Sequence, residues 1–362
     1  IIKPFKEKNK KVLIIPGNHD SQEATDFVAS LYEIKNLHGY STKYENVGFF
    51  GAGGADIGPG IISENELFKT LKKAHEGIKG IEKKVMITHM HPRGSKSEFS
   101  GFEGSKAITK AIKEFKPDVI ICTYFGSAQL MEPLSTKNQI PTYLVLTDYE
   151  AHALFVMDHV SGYFVPTEEV RQELLQYGVA KNKIRVSGIP IDPTFYEQKN
   201  QAELRTAHNI APTDTVLLII AKNYRTGMVK QILKQLENIP GLSVLIIGKK
   251  LNMKTSTQVK NIGWTKDIEE YMRLADVVIT KSGGLTSTEC MALGKYMIIF
   301  GPIPGQEEAN ADYIVESGRG VLCKDIKIIH TLVKVCVSMP SVMPKKKNLD
   351  QQPCKKIIEV IS

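Results

Sequence analysis

The sequence predicts an α/β protein built on parallel, Rossmann-like sheets. Short runs rich in Val, Ile and Leu recur along the 362 residues, and stretches of helical period separate them. The runs are nearly continuous in hydrophobicity, as strands covered on both faces require. The composition, 42% apolar and 24% charged, is that of a globular protein and excludes disordered, collagen-like and coiled-coil chains. No run approaches the ~18 apolar residues of a membrane span and no signal peptide opens the chain, so a cytoplasmic setting is expected.

In chain order the expected strands are KVLIIP (11–16), NVGFFGAG (46–53), KVMITHM (84–90), DVIICTY (118–124), TYLVLTD (142–148) and GYFVP (162–166). They continue with TVLLIIA (215–221), LSVLIIG (242–248), DVVITKS (276–282) and YMIIFGP (296–302). Between them, ENELFKTLKKAHEGIKGI, GSKAITKAIKEFK, TEEVRQELLQYG, GMVKQILKQLENI, DIEEYMRLA and TSTECMALG carry one-sided apolar patterns expected of helices packed on a sheet. The Pro-containing turn GIPIDPTFYEQKNQAELR (188–205) closes one α/β unit, and SMPSVMPKKK closes a second. The expected segments are 1–118, 119–195, 196–338 and a basic tail, 339–362.

The net charge of +8 is spread along the chain, and KKKNLDQQPCKK (345–356) supplies half of it. No basic stripe with interleaved aromatics appears, and there is one Trp, so no nucleic-acid partner is expected. The tail is the one place suited to anionic lipid. The five cysteines (122, 290, 323, 336, 354) lie mostly in apolar runs, which fits a reducing compartment and argues against a disulfide framework or a cysteine zinc site.

The clearest chemistry lies in ITKSGGLTSTECMALG (279–294). The apolar run ends at Thr280, Ser282-Gly283-Gly284 reads as a tight turn, and a helix opens near Leu285-Thr286. Free N–H groups and the dipole at a helix N-terminus favour an anion such as phosphate, and glycines let it approach closely. Ser282, Thr286 and Ser287 add hydroxyls, and Glu289, about one turn in, suits the two hydroxyls of a ribose. A ligand-free strand–turn–helix joint is the competing reading. In FGPIPGQEEANADYIVESGRG (300–320), the Pro304-Gly305 turn is followed by Gln306, Glu307 and, one turn on, Asn310, side chains suited to sugar hydroxyls.

Together these segments closely resemble the donor domain of GT-B glycosyltransferases, in the branch of processive diacylglycerol glucosyltransferases, plant monogalactosyldiacylglycerol synthases and the lipid II N-acetylglucosaminyltransferase. The resemblance implies a GT-B-like two-domain fold and inverting transfer of a hexose or N-acetylhexosamine from a UDP-sugar. The implied acceptor is a lipid or polyprenyl group at the inner membrane face, and no cofactor is implied. It gives the diphosphate to Gly283, Gly284 and Thr286, the ribose to Glu289, and the sugar to Gln306 and Glu307; Ser282 and Asn310 complete the expected donor-binding set. NIGWTKDIEEYM (261–272) matches the base-contacting segment and puts Trp264 near the uracil. Gly248 joins the donor-binding set.

The likeness runs back to about residue 117, where TD…H supplies Asp148 and His152. Asp148 is implied as a base for the acceptor hydroxyl or as the group that orients His152; a helix cap is its alternative role. Two departures stand out. The Gly-rich loop after the first donor strand is replaced by IIAKNYRTGMVK (219–230), leaving Lys222 or Arg225 to supply charge. The family's N-terminal Gly-rich motif ending in His is absent, which weighs against turnover more than against donor binding.

Upstream, VLIIPGNHD (12–20) and THMHP (88–92) resemble two motifs of calcineurin-like metallophosphoesterases. That likeness implies Asn18, His19, His89 and His91 around Mn, Fe or Zn, in an incomplete site, since the other ligand motifs are missing. Both likenesses meet at the KPDVIIC strand, so a chimera with a hybrid N-terminal domain is expected. A phosphoesterase remnant and a non-catalytic UDP-sugar-binding chimera are the alternatives to a transferase.

Overall fold

The structure, a computed structural model, describes residues 13–16, 22–32, 35–44, 46–54, 62–88, 106–115, 118–123, 125–132, 140–222, 224–237, 239–248, 250–251, 259–305, 307–338 and 353–361. The chain divides into two compact units. One holds the residues up to Thr147, Ala151–Ser187 and the C-terminal residues from Lys355; the other holds Asp148–Glu150 and Gly188–Cys354. The main division between these units falls at 187/188.

In the N-terminal unit, β1 (Leu13–Ile14) and β2 (Lys35–Asn36) form a short parallel pair flanking α1 (Gln22–Tyr32). β3 (Ser41–Tyr44) and β4 (Val47–Ala52) make an antiparallel hairpin, and β4 pairs in parallel with β5 (Lys83–Thr88) across α2 (Glu64–Glu76). After α3 (Lys106–Phe115), β6 (Ile120–Cys122), β7 (Thr142–Val145), β8 (Gly162–Val165) and β9 (Ile184–Val186) form a parallel sheet, with α4 (Phe125–Leu130) and α5 (Glu168–Gln176) as crossovers.

The two sheets of this unit meet at a single bridge among the described residues. Val85 and Val119 form an isolated parallel bridge. Asp118 reinforces it: its Oδ2 accepts from Lys84 N at 2.7 Å, and its own N–H donates to Lys84 O at 3.3 Å. One core runs beneath both sheets, through Phe50, Leu67, Leu71, Ile112, Ile120, Leu144, Tyr163 and Leu174. At about 1.5–3 kcal/mol per fully buried large apolar side chain, this shared core holds the two sheets in one unit.

The second unit opens with a 3-10 turn, Pro193–Tyr196, and α6 (Gln201–Ala207). Its strands are β10 (Thr215–Ile220), β11 (Leu242–Ile247), β12 (Val259–Gly263), β13 (Val277–Thr280), β14 (Tyr296–Phe300) and β15 (Gly320–Cys323). The helices that follow α6 are α7 (Thr226–Leu236), α8 (Ile268–Leu274), α9 (Gly284–Ala292), α10 (Glu308–Glu316) and α11 (Ile329–Ser338). All six strands are parallel, in the order β12-β11-β10-β13-β14-β15. That is the doubly wound order, and its direction reverses between β10 and β13, where the crevice at the strands' C-terminal ends takes ligands.

Alternation along the strands feeds two cores. Leu217, Ile219, Val244, Ile246 and Ile279 pack under α7 and α11, while Val216, Leu218, Leu245, Val278 and Met297 pack under α8, α9 and α10. The expected basic tail carries a helix, α12 (Pro353–Ile361), whose Ile357 packs with Val145 and Phe164 of the N-terminal unit. No helix among the described residues is long and apolar enough to cross a membrane.

Candidate donor site

β10 and β13 are neighbours, so the loop from Ala221 to Arg225 and the turn Lys281–Gly284 lie side by side at the reversal point. β13 ends at Thr280, as expected, and α9 opens at Gly284, one residue before the expected start. Gly283 is the N-cap (φ −60°, ψ 135°) and has no side chain to bond the first turn, so no side chain caps the helix. The first-turn N–H groups and the helix dipole form the anion-favouring end that the sequence predicts. Lys222 and Arg225, in the loop that follows β10, are exposed.

The hydroxyls divide differently from expectation. Ser282 is fully buried and donates to the Glu307 carbonyl at 2.7 Å, so it holds the turn and does not reach outward. Ser287 is also buried, and its hydroxyl has no hydrogen-bond partner among the described residues. Thr286 is partly exposed.

Glu289 is partly buried on α9, and desolvation, assisted by the nearby Asp192 charge, pushes its carboxyl up to about 8. Asp192, which the sequence reading did not single out, caps the Pro193–Tyr196 turn. Its Oδ1 accepts from Thr194 N at 2.9 Å and Thr194 Oγ1 at 2.7 Å, while Oδ2 is buried without a partner among the described residues. Burial raises its pKa as well. Its place in Ile-Asp-Pro was the available signal, since an Asp before Pro commonly starts a turn.

Gly248 lies in the left-handed region (φ +88°), and a Cβ there would sit 2.9 Å from Lys222 N. Only glycine lets the loops after β10 and β11 approach this closely. Trp264 follows β12 and is 69% exposed. Glu307 is the N-cap residue of α10; it is buried, and its Oε2 accepts from Ile303 N at 3.0 Å across the Pro304-Gly305 turn. Gln306 lies outside the described residues.

Asn310, expected to meet a sugar, is 1% exposed and bonds at both ends of its amide: Oδ1 accepts from Tyr149 N at 2.6 Å and Nδ2 donates to Asp148 Oδ1 at 2.7 Å. Asp148 caps no helix. His152 takes that position, its Nδ1 accepting from Leu154 N at 3.2 Å at the start of the Ala153–Phe155 turn. Asp148 groups with the second unit and His152 with the first.

Asn18, His19, His89 and His91 lie outside the described residues. Among the described residues no group of three or more His, Cys, Asp or Glu side chains could hold a metal ion.

The sequence profile of the C-terminal domain of glycosyltransferase family 28 matches residues 222–360, and that of monogalactosyldiacylglycerol (MGDG) synthase matches 90–191. The second match begins inside the segment expected to be phosphoesterase-like, so the stretch 90–118 aligns with the glycosyltransferases; the phosphoesterase likeness has no such support. A processive diacylglycerol beta-glucosyltransferase of Bacillus subtilis is 30% identical over 260 residues, 68% of each chain. Solved structures share the fold at lower identity. A putative UDP-N-acetylglucosamine 2-epimerase of Listeria monocytogenes has a TM-score of 0.59 at 13% identity, covering 99% of this chain and 90% of that one. MurG of Acinetobacter baumannii has a TM-score of 0.53 at 13% identity, covering 97% of this chain and 99% of that one.

Two Rossmann-like α/β units with an open helix N-terminus at the reversal point of the second sheet define a GT-B glycosyltransferase fold. The chain belongs to the MGDG synthase and glycosyltransferase family 28 group, the family of the processive diacylglycerol glucosyltransferases.

Proposed function

We propose that this chain transfers a hexose from a UDP-sugar to the hydroxyl of a diacylglycerol-type lipid, working from the cytoplasm at the inner membrane face. The observation that carries the donor half is the uncapped N-terminus of α9 at the reversal point, with Glu289 on the same helix. Diphosphate binds the first-turn N–H groups at Gly283, Gly284 and Thr286, with Lys222 and Arg225 adding positive charge where relatives have a Gly-rich loop. Glu289 takes the ribose hydroxyls, Trp264 and Gly248 border the uridine, and the sugar falls to Glu307, with Gln306 assigned there on sequence alone.

In the transfer, the acceptor oxygen attacks the anomeric carbon from the face opposite UDP. The new glycosidic C–O bond forms as the bond to the diphosphate oxygen breaks. Asp148 takes the acceptor proton, and the charge leaves on UDP, where the α9 N-terminus stabilises it. No step calls for a metal. A hexose is favoured over an N-acetylhexosamine by the name of the diacylglycerol glucosyltransferase relative. Incubation with UDP-glucose, UDP-galactose or UDP-N-acetylglucosamine and dioleoylglycerol micelles tests the reading. Glycolipid formed from a UDP-hexose supports it, whereas UDP binding with no product from any donor leaves a UDP-sugar-binding protein.

A further inference from the structure

Asp148, Tyr149 and Glu150 follow β7 in the chain yet group with the donor unit, and Tyr149 explains why. Its backbone N–H donates to Asn310 Oδ1 at 2.6 Å, its hydroxyl lies 2.6 Å from Thr288 Oγ1, and its ring stacks on Tyr313 with centroids 4.1 Å and planes 6° apart. Thr288 Oγ1 gives its one hydrogen to Gly284 O at 2.7 Å, so the Tyr149 hydroxyl is the donor in the Tyr149–Thr288 bond. Burial pushes the Tyr149 phenol far above its usual range, which keeps that hydrogen in place. The chain Tyr149–Thr288–Gly284 thus ends on the first residue of the donor helix. On the other side, Asn310 in the first turn of α10 spends its amide oxygen on Tyr149 and its amide nitrogen on Asp148.

We infer that Asn310 and Tyr149 are positioning residues for glycosyl transfer: they hold the Asp148 carboxylate at a fixed place against the first turns of α9 and α10, the two helices that carry the donor-site residues. This rests on the reading of Asp148 as the base and of the α9 turn as the diphosphate site. The amide polarity is specific. Position 310 must accept from a backbone N–H and donate to a carboxylate, which an ionised carboxylate or an aliphatic side chain cannot do together. A base displaced by about 1 Å from its attack geometry loses on the order of 10²-fold in rate, so the holding residues affect turnover without touching the donor.

The test uses the full chain with UDP titrations, steady-state transfer from UDP-glucose to dioleoylglycerol micelles, and melting curves. Asn310→Asp keeps the acceptor for Tyr149 N but sets a second carboxyl against Asp148. Its kcat should fall about 30- to 100-fold, while the KM for UDP-glucose and the Kd for UDP stay within about threefold. Tyr149→Phe keeps the ring stack and deletes only the bond to Thr288; the same split is expected with a kcat loss of about 3- to 10-fold. The double variant Asp148→Asn/Asn310→Asp rebuilds the hydrogen bond with the roles exchanged. It should recover the melting temperature lost in Asn310→Asp but not kcat. Recovery of both, or an unchanged kcat in the single variants, overturns the positioning role. So does a kcat loss matched by an equal loss of UDP affinity, which marks a merely structural contact. Failure of the unaltered protein to bind UDP takes down the donor-site reading as well, UDP binding without any transfer takes down the transferase reading, and an active unaltered protein with unaffected variants takes down only the positioning role.

Discussion

Ser282 Oγ donates to the Glu307 carbonyl at 2.7 Å, so the Gly283-Gly284 turn and the start of α10 are fastened to each other from beneath. The bond is fully buried at Ser282, and its loss leaves Glu307 O without that donor. Ser282→Ala should cost about 1–3 kcal/mol, seen as a lower melting temperature, with UDP affinity reduced because both turns border the same crevice. An unchanged melting temperature contradicts this role for Ser282.

Donor affinity should depend on pH through Glu289. Burial and Asp192 raise its carboxyl to about 8 in the free protein, so the group is mostly protonated at pH 7. A carboxylate accepts from both ribose hydroxyls better than a carboxyl does. UDP affinity should therefore climb between pH 7 and 9 and level off above that, with proton release on binding at pH 7. Glu289→Gln should flatten the profile, and Asp192→Asn, which removes a neighbouring negative charge, should move its midpoint down. Calorimetry in buffers of different ionisation enthalpy reads the proton count, and a pH-independent Kd in the unaltered protein opposes the assignment.

At Gly248, alanine meets two penalties, a positive φ and a Cβ 2.9 Å from Lys222 N. Gly248→Ala should destabilise by about 1–3 kcal/mol and push the Lys222 loop away from β11. Denaturant melts monitor the first effect, and weaker UDP binding monitors the second.

Trp264 offers the opposite case. With 69% of its surface exposed, Trp264→Ala should leave stability within about 0.5 kcal/mol. If the indole borders the uracil, UDP binding should weaken by about 1–3 kcal/mol, the usual worth of an aromatic under a base. Equal affinity for UDP in the two proteins removes Trp264 from the site.

The strands legible in the sequence were those with a continuous apolar run, and every expected strand is present in some form. Those missed are mainly edges: β3, β9, β12 and β15 each border a sheet. An edge strand is covered less completely, so VKNIG, IRV and STKY lack the continuous apolar run that marks a buried strand. The α9 turn was readable because its chemistry is local: glycines, a strand end and a helix start within a few residues. Asn310 and Ser282 were given to the ligand because their partners, Asp148 and the Glu307 backbone, lie 162 and 25 residues away in sequence. Tyr149 was missed for the same reason. Nothing beside it in TDYE announces a stack on Tyr313 or a bond to Thr288. The meeting of β5 and β6 was not legible, because the contact that fixes it, Asp118 to Lys84, spans 34 residues.

The most direct measurement is a calorimetric titration of UDP into the full chain and into Glu289→Ala at pH 8.5, where the carboxylate predominates. Saturable one-site binding by the unaltered protein, weakened at least about tenfold, or 1.4 kcal/mol, by the substitution, is the expected result. Absence of UDP binding at millimolar concentration, or binding equally strong in Glu289→Ala, contradicts a UDP-sugar site at the α9 turn.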